Sequence, residues 1–163
     1  MIIDVVRNRR RESSTLLERI KKEKIKACTS EFSMLEVMAS EQESAYVMKF
    51  LGKGWTIEEV IRERHARKLT SSELEDAYER FYNGFVIPYS ENIEVYYLTK
   101  EGWAFARELM TRVNLSAPDA IHVATALDQK CDCFVTSDTN LITSIKDQIK
   151  ACTPGEMLSK LQT

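Results

Sequence analysis

Glu36, Asp119 and Asp138 are the residues whose types and settings could do chemistry together. Asp119 opens an apolar helix in the run Ser116-Ala117-Pro118-Asp119, and Asp138 follows the strand-like run Cys133-Phe134-Val135-Thr136. Glu36 stands early in a helix after the short strand Ile25 to Thr29. At 100° per residue it falls about 40° from Phe32, on the border of that helix's apolar face. If strands alternate with helices, all three acids share the carboxyl-end edge of a parallel sheet, where such sheets collect their ligands. Oxygen ligands clustered without His or Cys suit Mg²⁺ or Mn²⁺, which keep several waters and bridge to phosphate oxygens. An ion so held activates water and stabilises a phosphodiester transition state, so the chemistry would be metal-dependent hydrolysis. Each acid also has a structural explanation: Asp119 as a capping-box residue, Asp138 as an Asx turn, Glu36 as a border residue meeting a cation. Spacing alone leaves both readings open.

The elements that must position these acids follow from periodicity and caps. Glu12 to Lys24 reads as a helix with Leu16, Leu17 and Ile20 on one face, capped by Ser13 or Ser14. Glu31 to about Leu51 is a second helix, stopped at Gly52 to Gly54. Thr56 and Glu59 form a capping box for a helix running to Lys68, and Ser72 to Tyr82 makes a partner closed by Asn83-Gly84. This antiparallel hairpin leans on the body through Ile57, Val60, Ile61, Leu74, Ala77, Tyr78 and Phe81. Phe85 to Tyr89, broken by Pro88, is an extended linker or edge strand. Ile93 to Leu98 alternates as a strand, and Thr99 caps a helix with a core stripe of Trp103, Ala106, Met110 and Val113. The helix after Ser116 is apolar around most of its circumference and so is buried; His122 in its second turn reads as a hydrogen-bonded structural histidine. Cys133 to Thr136 is a strand that leaves at Asp138 into a loop. Ile149 to Cys152 is a last short strand, and a terminal helix begins near Glu156. The expected architecture is a single domain over residues 1–163: a three-layer α/β/α sandwich on a mainly parallel sheet.

Composition bounds the rest. Hydrophobic residues make up 44% and charged residues 29%, the balance of a globular chain. No apolar run approaches the ~18 residues that span a bilayer, and the start lacks a signal peptide's order, which points to the cytoplasm and no membrane partner. Cys28, Cys131, Cys133 and Cys152 lack zinc-site spacing and read as small buried thiols. The net charge of −2 gives no global attraction for nucleic acid, but two segments are basic. Arg7, Arg9, Arg10 and Arg11 form one; Arg62, Arg64, Arg67 and Lys68 form the other, with His65 as a surface residue. Either is a solvated face or a phosphate-binding patch. No glycine-rich phosphate loop is present.

The run Ser116 to Ala126, containing Pro118-Asp119-Ala120-Ile121-His122, followed by Phe134-Val135-Thr136-Ser137-Asp138-Thr139-Asn140-Leu141, resembles the carboxyl-terminal half of the PIN-domain family. That family includes the VapC toxins of type II toxin-antitoxin pairs. Thr29-Ser30-Glu31-Phe32-Ser33-Met34-Leu35-Glu36-Val37 is similar to the family segment bearing its second acid, and the tail at Thr153-Pro154 also fits. Residues 55 to 84 would be a helical insertion. The resemblance implies a Mg²⁺- or Mn²⁺-dependent ribonuclease, usually a homodimer, inhibited in toxin members by a small antitoxin protein. It assigns Glu36, Asp119 and Asp138 to the metal site, with the basic segments steering RNA. The departure is at the beginning. The alignment sets Met1 to Ile3 just after the family's opening Asp, so the first acid and its strand would precede Met1. Asp4 would join the metal site only through a shift of register. The alternative is a catalytically degenerate PIN-like module that binds a protein partner or RNA.

Overall fold

The computed structural model describes residues 11–162. Helix α1 (Arg11–Glu23) buries Leu16, Leu17 and Ile20, the amphipathic stripe expected from their spacing. Ser13 is a buried residue inside this helix and not its cap. Strand β1 (Ala27–Ser30) follows, and Ser30 caps the long helix α2 (Glu31–Leu51) by accepting the backbone N–H of Ser33. Helix α3 (Ile57–Glu63) has the Thr56–Glu59 capping box, and α4 (Ser71–Phe81) has a second one from Thr70 and Glu73. A π-helical turn (Tyr82–Val86) joins α4 to the single turn α5 (Ile87–Tyr89). Then come β2 (Ile93–Tyr96), α6 (Lys100–Glu108) with a π-helical end (Leu109–Val113), and α7 (Ala117–Asp128). The chain closes with β3 (Phe134–Val135), α8 (Thr139–Ser144), β4 (Ala151–Cys152) and α9 (Pro154–Lys160).

The strands form two parallel pairs. β1 pairs with β2 in the register Ala27↔Ile93 to Ser30↔Tyr96, and β3 pairs with β4 through Phe134↔Ala151 and Val135↔Cys152. An α/β chain with short parallel strands and helical crossovers is therefore correct, but among the described residues the single central sheet is two separate two-stranded ladders. A cavity of about 730 Å³ is lined by residues of both, Cys28 and Ser30 from one and Phe134 and Val135 from the other.

Two principal cores flank the strands, and β3 serves both, with Val135 packed on the first and Phe134 on the second. Leu16, Leu17, Val37, Phe81, Phe85 and Ile93 form the first; Ala106, Leu109, Val123, Ala124, Leu141 and Ile145 form the second. The small residues of α7 let α6 approach closely. At Gly102 an added Cβ would stand 2.9 Å from Leu98 Cγ and 3.0 Å from Asp128 Oδ2. A third cluster of Tyr46, Phe50 and Val60 seats α3 on α2.

Four local expectations change. The helix after Thr56 ends at Glu63, not Lys68, because Arg62 to Lys68 offers no large apolar side chain to bury; Arg67 instead stacks 4.9 Å over the Trp55 ring. Phe85 to Tyr89 is helical and not extended. Phe81, Phe85 and Tyr89 recur every four residues, with ring centroids 6.1 and 5.7 Å apart, and the helix runs unbroken from α4 through the π-helical turn into α5 despite Pro88. In α6 the buried stripe is Gly102, Ala106 and Leu109, so Trp103 and Met110 are exposed and not core, at 58% and 43%. Asp138 leads not into a loop but into α8.

Candidate active site

Each acid is fixed by a local cap or by a crossing between α2 and α7. Glu36 lies in the second turn of α2, half-buried, and its Oε2 is 2.7 Å from His122 Nε2 on α7. A carboxylate only accepts, so Nε2 carries the proton and donates. On the other side of the ring, Nδ1 lies 2.9 Å from Ser30 Oγ and 3.1 Å from Ser33 Oγ. Those two hydroxyls are themselves 2.9 Å apart. The Phe32 ring packs against the imidazole at 5.7 Å between centroids. Ser30 thus caps α2 and holds His122 with the same oxygen.

Asp119 lies in the first turn of α7, one turn before His122 on the same face. Its Oδ2 accepts a 2.6 Å hydrogen bond from Ser116 Oγ, and its backbone N–H donates to that oxygen at 3.3 Å. The expected reciprocal capping box is therefore replaced by a hydroxyl-to-carboxylate bond. Asp138 caps α8: Oδ1 accepts from the N–H groups of Asn140 and Leu141 at 2.9 and 3.0 Å, and its own N–H donates to Thr136 Oγ1. Thr136 lines the same cavity as Ser30, Ser33, Glu36 and His122.

The three acids share one pattern. In each, one oxygen is engaged by a donor of the protein, while the other, Oε1 of Glu36, Oδ1 of Asp119 and Oδ2 of Asp138, has no hydrogen-bond partner among the described residues. The donor chemistry is right for a hard cation. The convergence is not: among the described residues no three His, Cys, Asp or Glu side chains come together as a metal-ligand set. Glu36 meets α7 through His122, Asp119 lies in the first turn of α7, and Asp138 caps α8.

The other sequence candidates divide. Asp4, Arg7, Arg9 and Arg10 lie outside the described residues. Arg11 is exposed at the start of α1. Arg62, Arg64, Arg67 and Lys68 are exposed past the middle of α3; Arg62 meets Glu63 at 3.4 Å and Arg64 meets His65 at 3.1 Å. His65 is a surface residue as expected.

The cysteines form two thiol pairs, Cys28 with Cys131 at 3.2 Å and Cys133 with Cys152 at 3.3 Å between sulfurs. Only Cys152 is fully buried. Burial, then the bond to Cys131, pushes the Cys28 thiol up to about 12; burial, then the bond to Cys133, pushes Cys152 up to about 11. Both shifts favour the protonated thiol and lower its nucleophilicity at neutral pH. His122 is hydrogen-bonded, as expected; what sequence reasoning missed is that one of its partners is Glu36 on α2. The signal for His122 itself was its place three residues after Asp119.

No helix of the described residues is long and apolar enough to cross a membrane. Comparison with curated proteins and with solved structures finds no match. The family model of the PIN domain matches residues 1–145, most of the chain. PIN domains are in general nucleases and typically use divalent metals. On that match, the chain belongs to the PIN-domain family.

Proposed function

We propose that this chain is a Mg²⁺- or Mn²⁺-dependent endoribonuclease, with Glu36, Asp119 and Asp138 as its acids and a type II toxin of the VapC kind as its biological setting. The observation that carries the reading is the PIN-domain match over residues 1–145, and the state of the three carboxylates fits it. Each has one oxygen fixed by the protein and one left open, which orients a ligand without using it up.

In this reading the chain is one α/β/α domain in the cytoplasm, acting as a homodimer and held in check by a small antitoxin protein. A bound ion would supply an activated water and charge neutralisation. Because the acids do not converge among the described residues, no step is assigned to it. The protein's own part is to present open carboxylate oxygens beside the start of α7 and to draw the RNA backbone toward Arg11, Arg62, Arg64, Arg67 and Lys68. Asp4, Arg7, Arg9 and Arg10 would add to the acid and basic sets from outside the described residues.

The test is cleavage of a structured RNA with Mn²⁺ by the parent chain and by Asp119→Asn and Asp138→Asn. Both substitutions keep the caps in shape while removing charge. We expect each to lower the rate by about a hundred-fold or more, the scale of losing one electrostatic contributor to the transition state. A parent that cleaves no better than the variants sinks the nuclease reading. The family membership would then stand for a binding module.

A further inference from the structure

We propose that Cys28 with Cys131, and Cys133 with Cys152, are two dithiol sites that a hydroperoxide converts to disulfides, an inference that stands apart from the nuclease reading. These are all four cysteines of the chain, and each has another as its sulfur neighbour, at 3.2 Å in one pair and 3.3 Å in the other. Bonded sulfurs stand ~2.05 Å apart, so each pair needs an approach of only about 1.2 Å. The partners are 103 and 19 residues apart in sequence, so the contacts are made by the fold and not by neighbouring residues. Cys28 lies on β1 and Cys152 on β4, while Cys131 and Cys133 both belong to the short connection from α7 to β3. One short segment thus sends a thiol to each strand pair. Cys28, Cys131 and Cys133 also line the cavity of about 730 Å³, which gives a small peroxide a way to both pairs.

Cys131 is placed to react first. It lies between the exposed residues Lys130 and Asp132, whereas burial, then the bond to Cys131, pushes the Cys28 thiol up to about 12. The Cys131 thiolate attacks a peroxide oxygen and the O–O bond breaks. With hydrogen peroxide the products are the Cys131 sulfenic acid and a hydroxide, which takes up the proton lost by the thiol and becomes water. The Cys28 sulfur then attacks the Cys131 sulfur: the S–S bond forms, the S–O bond breaks, and the leaving hydroxide takes the Cys28 proton as a second water. Two thiols lose two electrons, and one peroxide is reduced to two waters. Cys133, half-buried, and Cys152, buried, repeat the sequence, and an added dithiol reverses both bonds by exchange. The first bond ties β1, which leads into the helix of Glu36, to the exit of α7, which carries Asp119; the second ties β3 to β4.

The test uses the full chain, reduced and then exposed to a small excess of hydrogen peroxide, with the remaining thiols alkylated after denaturation in acid. Cleavage before Asp132 separates Cys131 from Cys133, so fragment masses identify each partner. The expected products are Cys28 bonded to Cys131 and Cys133 bonded to Cys152, with no alkylated cysteine and full reversal by dithiothreitol. The oxidised chain is expected to melt about 10 °C above the reduced one, because the bonds close long loops in the unfolded chain. Thiols that stay open to alkylation, a bond between Cys131 and Cys133, or Cys131 carried on to its sulfinic acid beside a free Cys28 overturns the proposal. An oxidised chain that melts at or below the reduced one overturns it too, since bonds between sulfurs already in contact require no rearrangement of the fold.

Discussion

A side chain's setting decides what its chemistry can be, and the acids and thiols of this chain illustrate opposite settings. Glu36, Asp119 and Asp138 are held by one oxygen and open at the other, whereas the cysteine pairs are closed on themselves. Burial and the bond to Cys131 push the Cys28 thiol up to about 12, well above an ordinary thiol. Since the thiolate is the nucleophile, alkylation of Cys28 by iodoacetamide at pH 7.5 should run on the order of a thousand-fold slower than for a free thiol of pKa ~8.5. Intact-mass spectra over time test this: folded chain stays unlabelled at Cys28 and Cys152, and denatured chain labels at all four cysteines. Rapid labelling of the folded chain would mean that the pairs are open. The sequence made Asp119 and Asp138 legible because their partners are neighbours, Ser116 and the amides after Asp138. Glu36 was legible only as a border residue. Its partner lies 86 residues away on another helix, and no local pattern carries a contact of that separation.

Helix starts were readable because caps are local: Thr56 with Glu59, Thr99 and Ser116 all cap where their residue types say they should, whereas the last helix, expected near Glu156, starts at Pro154 with Thr153 as its cap. Helix ends and buried faces depend on what lies opposite, so the stop at Glu63, the helical Phe85 to Tyr89 and the exposed Trp103 were not. The small stripe on α6 gives one test. Alanine normally gains about 1 kcal/mol over glycine in a helix, but a Cβ at Gly102 meets Leu98 at 2.9 Å and Asp128 at 3.0 Å. Overpacking should win, so Gly102→Ala is expected to lower unfolding stability by about 1–2 kcal/mol in urea denaturation. A more stable variant would show that α6 and α7 can part freely. A second test concerns α2 and α4, joined by Lys49 Nζ to Glu73 Oε2 at 2.7 Å. The Lys49 bond first, and then the Thr70 backbone N–H, hold Glu73 down at about 2. A carboxylate depressed in the folded state stabilises it at pH above the unfolded value, and that share fades as pH falls toward the folded value. The stability difference between the parent and Glu73→Gln should therefore shrink between pH 5 and pH 2, followed by denaturation at fixed pH steps. A constant difference would place the coupling elsewhere.

Among the described residues the chain has two principal cores, and its integrity rests on the elements that cross between them, β3 included, with Val135 on the first core and Phe134 on the second. One is α7, which packs against α6 on one side and against β1 and α2 on the other. Another is α9, which follows β4 yet lies on α1 at the far end of the sequence. Met157, Leu158 and Leu161 pack on the first core, and Arg19 Nη2 donates to the Leu161 carbonyl at 2.7 Å. That crossing is why β4 and α9 matter to a core they do not follow in sequence. Ending the chain after Thr153 would uncover the faces of Leu16 and Ile20 that α9 covers. Partial burial of three large apolar side chains is worth about 3 kcal/mol in total. For a chain of this size that lowers the melting temperature by about 6–12 °C. The loss should be uneven. Hydrogen exchange is expected to quicken in α1 and to leave the amides of α7 at parental protection, because α7 buries its Val123 and Ala124 in the second core. If the shortened chain melts with the parent, or if α7 loses protection along with α1, then α9 is not the bond between the two cores and the crossing must be carried by α7 and β3.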